Sequence, residues 1–181
     1  MLWSLLSEQI VTSEKQIVEI QLNRNLRSEI KVAVKCHFDL PVVVDVPKNL
    51  NDGTPFPTMF WLTCPMYIKK VSTLESHGMV KELDNQLNRN KKLRKLWSKR
   101  QKSYEKERNR KYKSVNNTVS PIGGVGGAVN SIKCLHSHLA DELVTGKNIV
   151  GQIVLENVGG CNCNEPCVIE GTKNDNWRSE W

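Results

Sequence analysis

The sequence predicts an α+β protein: a small three-stranded sheet covered by helices, with one long basic helix added to it. Three observations carry that expectation. Three short β-branched or aromatic runs crowd into residues 29–64, each bounded by turn-forming residues. Helical periodicity takes over after Pro65. A cation-rich stretch at 89–113 keeps an apolar stripe running through its charge.

Taken in order, SEKQIVEIQLNR (13–24) sets Ile17, Ile20 and Leu22 near helical spacing behind Ser13, a residue suited to start a helix. EIKVAVKC (29–36) alternates Ile30, Val32 and Val34, as a half-buried strand does. PVVVDVP (41–47) is a second strand, so HFDL turns the chain between the two. KNLNDGTPFP (48–57) is a loop with Asp52-Gly53 at its turn, and TMFWLTC (58–64) is a third, buried strand. Pro65 suits the first helical position, which puts Cys64 at the N-cap of a helix running to about Ser76, before Gly78. A single helix is expected over 79–112, because Leu93, Leu96, Trp97 and Tyr104 fall within about 60° of one another on one face. The glycine-rich segment 116–130 follows no predicted strand. Its GGVGG therefore reads as a hinge or a close backbone approach rather than a phosphate loop. A helix over 131–145, stopped by Gly146, and a short one over 148–157 complete the domain. The organisation expected is an N-terminal extension (1–12), one domain (13–157, with the sheet under the 65–76 and 131–145 helices) and a flexible, cysteine-bearing tail (158–181).

No apolar run approaches the ~20 residues that cross a bilayer, so no membrane insertion is expected. The opening MLWSLLSEQIV carries Glu8 and lacks a basic start, unlike a secretory signal. Six cysteines without such a signal point to thiols that are reduced, metal-bound or catalytic, in a cytoplasmic setting. The net charge of +7 is uneven: residues 89–113 hold thirteen Lys or Arg against two Glu, so the remainder is acidic.

VEIQLNRNLR, VAVKCHFDLPVVV, DGTPFPTMFWLTCP and GGAVNSIKCLHSHLADELVTGKNIVG, in that order, resemble the blocks of a bacterial family called domain of unknown function 501, over about residues 16–156. The resemblance implies a cytoplasmic bacterial protein and brings no mechanism with it. Asn23 and Asp39 stand where the family usually has glycine. Asn and Asp are the other residues that best tolerate positive φ, so both turns are expected to survive.

Cys36, Cys64 and Cys134 all fall at element ends, where side chains from different elements converge. With His138, or alternatively His136 or His37, they make a tetrahedral Cys3His zinc set. On the 131–145 helix, Cys134, His138 and Asp141 share the side opposite Ile132, Leu135, Leu139 and Leu143, and His136 reads as a core histidine. The bland alternative is that the cysteines fill space. The tail thiols Cys161, Cys163 and Cys167 form a clip or complete the core set. An iron–sulfur cluster ranks below zinc. A thiol enzyme would use Cys64 as nucleophile and His138 as base. Through Lys92, Arg94, Lys95, Lys99, Arg100 and Lys102 the basic helix offers a surface for RNA, DNA or another polyanion. Its aromatics Trp97, Tyr104 and Tyr112 follow the apolar stripe. Trp177 and Trp181 are exposed aromatics suited to a protein partner.

Overall fold

The computed structural model describes residues 12–112 and 119–178. Residues 1–11 of the N-terminal extension and Trp181 lie outside the described residues. The chain begins with helix α1 (Glu14–Leu22), capped as expected: the Ser13 hydroxyl accepts from the Gln16 N–H, and the Gln16 side chain accepts from the Ser13 N–H in return. Asn23 closes it in the left-handed conformation at φ 51°.

The sheet is antiparallel in the order β1 (Lys31–Lys35), β2 (Pro41–Asp45), β3 (Phe60–Leu62). The central β2 is buried along its whole length, which is why three valines run together before Asp45, while edge strand β1 alternates. Val43 lies opposite Leu62 and Val44 opposite Trp61, while β1 shifts register against β2 on either side of Val34. The β1–β2 turn is closed by Cys36 N–H donating to the Leu40 carbonyl and Asp39 N–H donating to the Cys36 carbonyl. Asp39 sits there at φ 58°, so both aspartate and asparagine do occupy the positions that favour glycine.

Helices follow: α2 (Pro65–Ser76), α3 (Met79–Arg89), α4 (Lys91–Lys111), α5 (Leu135–Thr145) and α6 (Ile149–Val158). The single helix expected over 79–112 is two. Asn90 breaks it with extended backbone (φ −112°, ψ 99°), and its side chain caps α4 by accepting from the Lys92 and Leu93 N–H groups. The apolar stripe shifts face there: at 100° per residue Leu87 falls about 120° from Leu93. The sheet's cover also differs from expectation. α5 packs on all three strands, and α1 covers the other face around Val18, Val44 and Val46. α2 packs chiefly on α3, α5 and α6.

Leu83, Leu87, Trp97 and Tyr104 turn inward into the main core with Leu135, Leu139 and Val154. The glycine segment is a close approach: a Cβ on Gly124 would lie 2.8 Å from the Gln101 Cα. Gln101 Oε1 accepts from the Val125 N–H at 2.8 Å, pinning a short 3₁₀ turn (Val125–Gly127) onto α4. The tail carries structure its sequence does not announce. Val168–Ile169 (β4) and Thr172–Lys173 (β5) form a hairpin against α1, and Trp177, read as exposed, packs on the main core. No helix among the described residues is long and apolar enough to cross a membrane.

Candidate metal centres

The expected set of Cys36, Cys64, Cys134 and His138 does not form one group; its members belong to three places. α2 explains the separation. Cys64 is its N-cap and Glu75, which meets the Cys134 region, lies in its last turn. Eleven residues at 1.5 Å rise set these ends about 16 Å apart.

The first place is a junction of the β1–β2 turn, the start of α2 and the tail. Ligand atoms of Cys36, His37 and Cys161 lie within 4.8 Å of one another. Cys161 Sγ is also 3.9 Å from Cys64 Sγ, so it is the shared vertex. His37 Nε2 is 2.9 Å from the Cys163 carbonyl and donates to it, while Cys163 Sγ lies 3.6 Å from the Met66 sulfur. Cys167 stands one step away, its sulfur accepting from the Gln21 side chain at 3.5 Å. All six cysteines are free thiols. The hydrogen bond to Cys64, then burial, pushes the Cys161 thiol well up, and burial raises those of Cys163 and Cys167. Burial, with the neighbouring Cys161 and Cys64, takes Tyr67 to about 12. The tail completes a set begun in the sheet, one of the two roles its sequence left open.

The second place joins the C-terminal turn of α2 to the start of α5. Cys134 has extended backbone (φ −148°) and is the N-cap of α5, not a residue in its first turn. Helical spacing from Cys134 to His138 therefore does not apply. His136, read as a core histidine, comes forward: its Nδ1 is 3.8 Å from Cys134 Sγ and 3.3 Å from Glu75 Oε1. Its Nε2 is 3.2 Å from the Ile68 carbonyl and 3.2 Å from Ser72 Oγ. Glu75 Oε1 also accepts from the Leu135 N–H at 2.6 Å. Burial works against every charge here, yet the neighbours outweigh it. His136 and the Ser137 N–H hold the Cys134 thiol below its usual value, and Cys134 with Glu75 takes His136 up to about 10. Glu75 is held low by His136 and the Leu135 N–H, again against burial. A cleft of about 530 Å³ opens beside Cys134 and His136, walled by Leu22, Phe56, Trp61 and Ile68. Arg24 stands at its edge over the Trp61 ring, 4.3 Å from its centroid. Glu75 was missed in the sequence, where an acidic residue near a helix end carries no metal signal.

The third place is structural. His138 and Asp141 are 0 % exposed, so this part of the side of α5 opposite Leu135 and Leu139 is sealed by packing. Arg100 donates to Asp141 through Nε (2.7 Å) and Nη2 (2.6 Å), and Asn148 Nδ2 adds a third bond at 2.8 Å. The Asn148 oxygen therefore faces His138 Nδ1 at 3.0 Å, which puts the imidazole proton on Nδ1. Burial holds this ring neutral by lowering its pKa. No hydrogen bond among the described residues joins His138 to Cys64. Arg100, named above as a polyanion contact, is spent inside; Lys92, Lys95, Lys99 and Lys102 stay exposed, and Arg94 is half-buried against Trp97.

A helical α+β domain carrying two separate Cys/His groups, both built from element ends, is the class these features define. The family model described as protein of unknown function, DUF501, matches residues 32–156, and the chain belongs to that family. The match starts after the VEIQLNRNLR block and ends before the tail cysteines, so the junction combines family and non-family residues. No curated protein and no solved structure matches the chain.

Proposed function

We propose that this is a metal-binding protein, zinc ahead of iron–sulfur, whose ion ties the β1–β2 turn and the start of α2 to the tail through Cys36, His37, Cys64 and Cys161. The observation that carries it is the 3.9 Å spacing of Cys64 and Cys161, next to the Cys36–His37–Cys161 group. Two thiolates on one zinc at 2.3 Å each stand about 3.8 Å apart at the tetrahedral angle. A 4Fe–4S cluster takes each thiolate on a different iron and a 2Fe–2S cluster takes two ligands per iron, so three ligand atoms within 4.8 Å of one another rank a single zinc first. The raised Cys161 thiol fits the same reading: the hydrogen bond to Cys64 and burial hold its proton on, and a divalent cation releases it. Ligation by three thiolates and one imidazole, with Cys161 supplied by the tail, also explains why a short tail lacking a large apolar set docks at all. The test is elemental analysis of protein purified without affinity metals, beside Cys161→Ser. Near-stoichiometric zinc, lost with a lower melting temperature in the variant, supports the reading, because binding energy at such a site is folding energy. Metal-free wild type with an unchanged melt in the variant ends it.

A second reading rests on α4. Lys92, Lys95, Lys99, Lys102 and Lys106 are all exposed at three- and four-residue spacing, a continuous cationic stripe on a 21-residue helix whose other face is packed. It supports salt-sensitive, sequence-independent binding of a polyanion such as RNA.

A further inference from the structure

We propose that Glu75, Cys134 and His136 hold a second divalent ion of the zinc type, with its fourth position open to the adjoining cleft for water or a small anion. This site shares no residue with the junction and stands or falls separately from it.

Distances decide between a metal site and a bare ion-pair chain. A direct imidazolium–carboxylate bond closes to about 2.8 Å. Here the His136 to Glu75 separation is 3.3 Å and the His136 to Cys134 separation is 3.8 Å. Zinc bonds of about 2.0–2.1 Å to nitrogen and oxygen and 2.3 Å to sulfur, at the tetrahedral angle, give edges of about 3.3 and 3.6 Å. The two His136 edges match those of a coordination polyhedron better than they match direct contacts, and the Cys134 and Glu75 ligand atoms lie within 4.8 Å of each other.

Which ring nitrogen faces which group points the same way. In a nucleophilic Cys–His–acid relay, one imidazole nitrogen serves the thiol and the other the acid. In this protein Nδ1 faces both Cys134 and Glu75, while Nε2 turns away to the Ile68 carbonyl and Ser72. A ring nitrogen that donates its proton to a backbone carbonyl, leaving the other lone pair free, is how a metal-ligating histidine is oriented. Glu75 is held likewise by the Leu135 N–H. Three protein ligands with the remaining direction open to a cleft of about 530 Å³ is the pattern of an exchangeable site, unlike the four-ligand junction.

Cobalt titration of the chelator-stripped full chain tests this. Wild type should take up two equivalents, Cys161→Ser one and His136→Ala one, with Glu75→Gln weakening its site more than about 100-fold while circular dichroism stays native. Azide should shift the visible d–d bands of wild type and Cys161→Ser but leave those of His136→Ala unmoved. Uptake of one equivalent by wild type, kept in Cys161→Ser and lost in His136→Ala, would leave this site standing and remove the junction. A native-like Cys161→Ser that takes up no cobalt, or whose bands ignore azide, overturns the proposal; fast alkylation of Cys134 at neutral pH in that metal-free state would mark a thiolate–imidazolium pair instead.

Discussion

Replacing Asp141 with alanine should destabilise the fold by about 3 kcal/mol or more. The carboxylate is 0 % exposed and accepts three hydrogen bonds, two of them charge-assisted from an Arg100 side chain only 3 % exposed. Breaking a buried pair from one side typically costs about 3–5 kcal/mol, because a charge is left behind without its partner. Glu107, at 38 % exposure, still holds Arg100 Nη1 at 3.0 Å, which places the loss near the lower end. Against a total stability of about 5–15 kcal/mol this is a large fraction. In urea, with a slope of about 2 kcal/mol per molar, the midpoint should fall by about 1.5 M. The double variant Arg100→Met/Asp141→Leu removes both charges and should recover most of the loss. A shift below about 0.5 M for Asp141→Ala, or a double variant as unstable as the single, would refute the account of this face as a closed ion-pair seam.

Tyr104→Phe should lower stability by about 1–3 kcal/mol, read from the melting temperature, since the buried Met59 N–H donates to the Tyr104 oxygen at 2.6 Å and would lose its acceptor. Gly151→Ala should cost about 1–3 kcal/mol in urea unfolding, because a Cβ there would sit 2.9 Å from the His138 carbonyl carbon, where α5 and α6 touch. An unchanged midpoint would show that the two helices slide apart freely. Changing Lys92, Lys95, Lys99 and Lys102 together to glutamine should leave the melt within about 0.5 kcal/mol per site and flatten the salt dependence of RNA binding, by up to about 0.7 in log–log slope for each lost phosphate contact. Arg100→Met, by contrast, should lower stability while keeping that slope.

The strands were legible because their signals are local: Val32 and Val34 alternate on an edge, and Val42, Val43 and Val44 run together because both faces of β2 are covered. The N-cap role of Cys64 was equally readable from Pro65. What misled was geometry at the next helix start. Taking Cys134 as helical paired it with His138 by spacing, but its extended backbone places His136 next to it and leaves His138 facing Asn148. The packing of the polar side of α5 was not legible because nothing local shows that α4 and α6 close over it through Arg100 and Asn148. The break at Asn90 was missed although the stripe shifts there, with Leu87 about 120° from Leu93 at 100° per residue. The tail's docking was illegible for a different reason: it depends on single thiols and carbonyls meeting residues far back in the chain, not on any periodic pattern.

That distance has a consequence for synthesis. Cys64 meets Cys161 across 97 residues, and His37 meets the Cys163 carbonyl across 126. At ribosomal speeds of about 5–20 residues per second, the early thiols wait about 5–25 s for the late ones to emerge. Throughout that interval Cys36 and Cys64 are made without Cys161, so the junction closes only after residue 161 has been added to the chain.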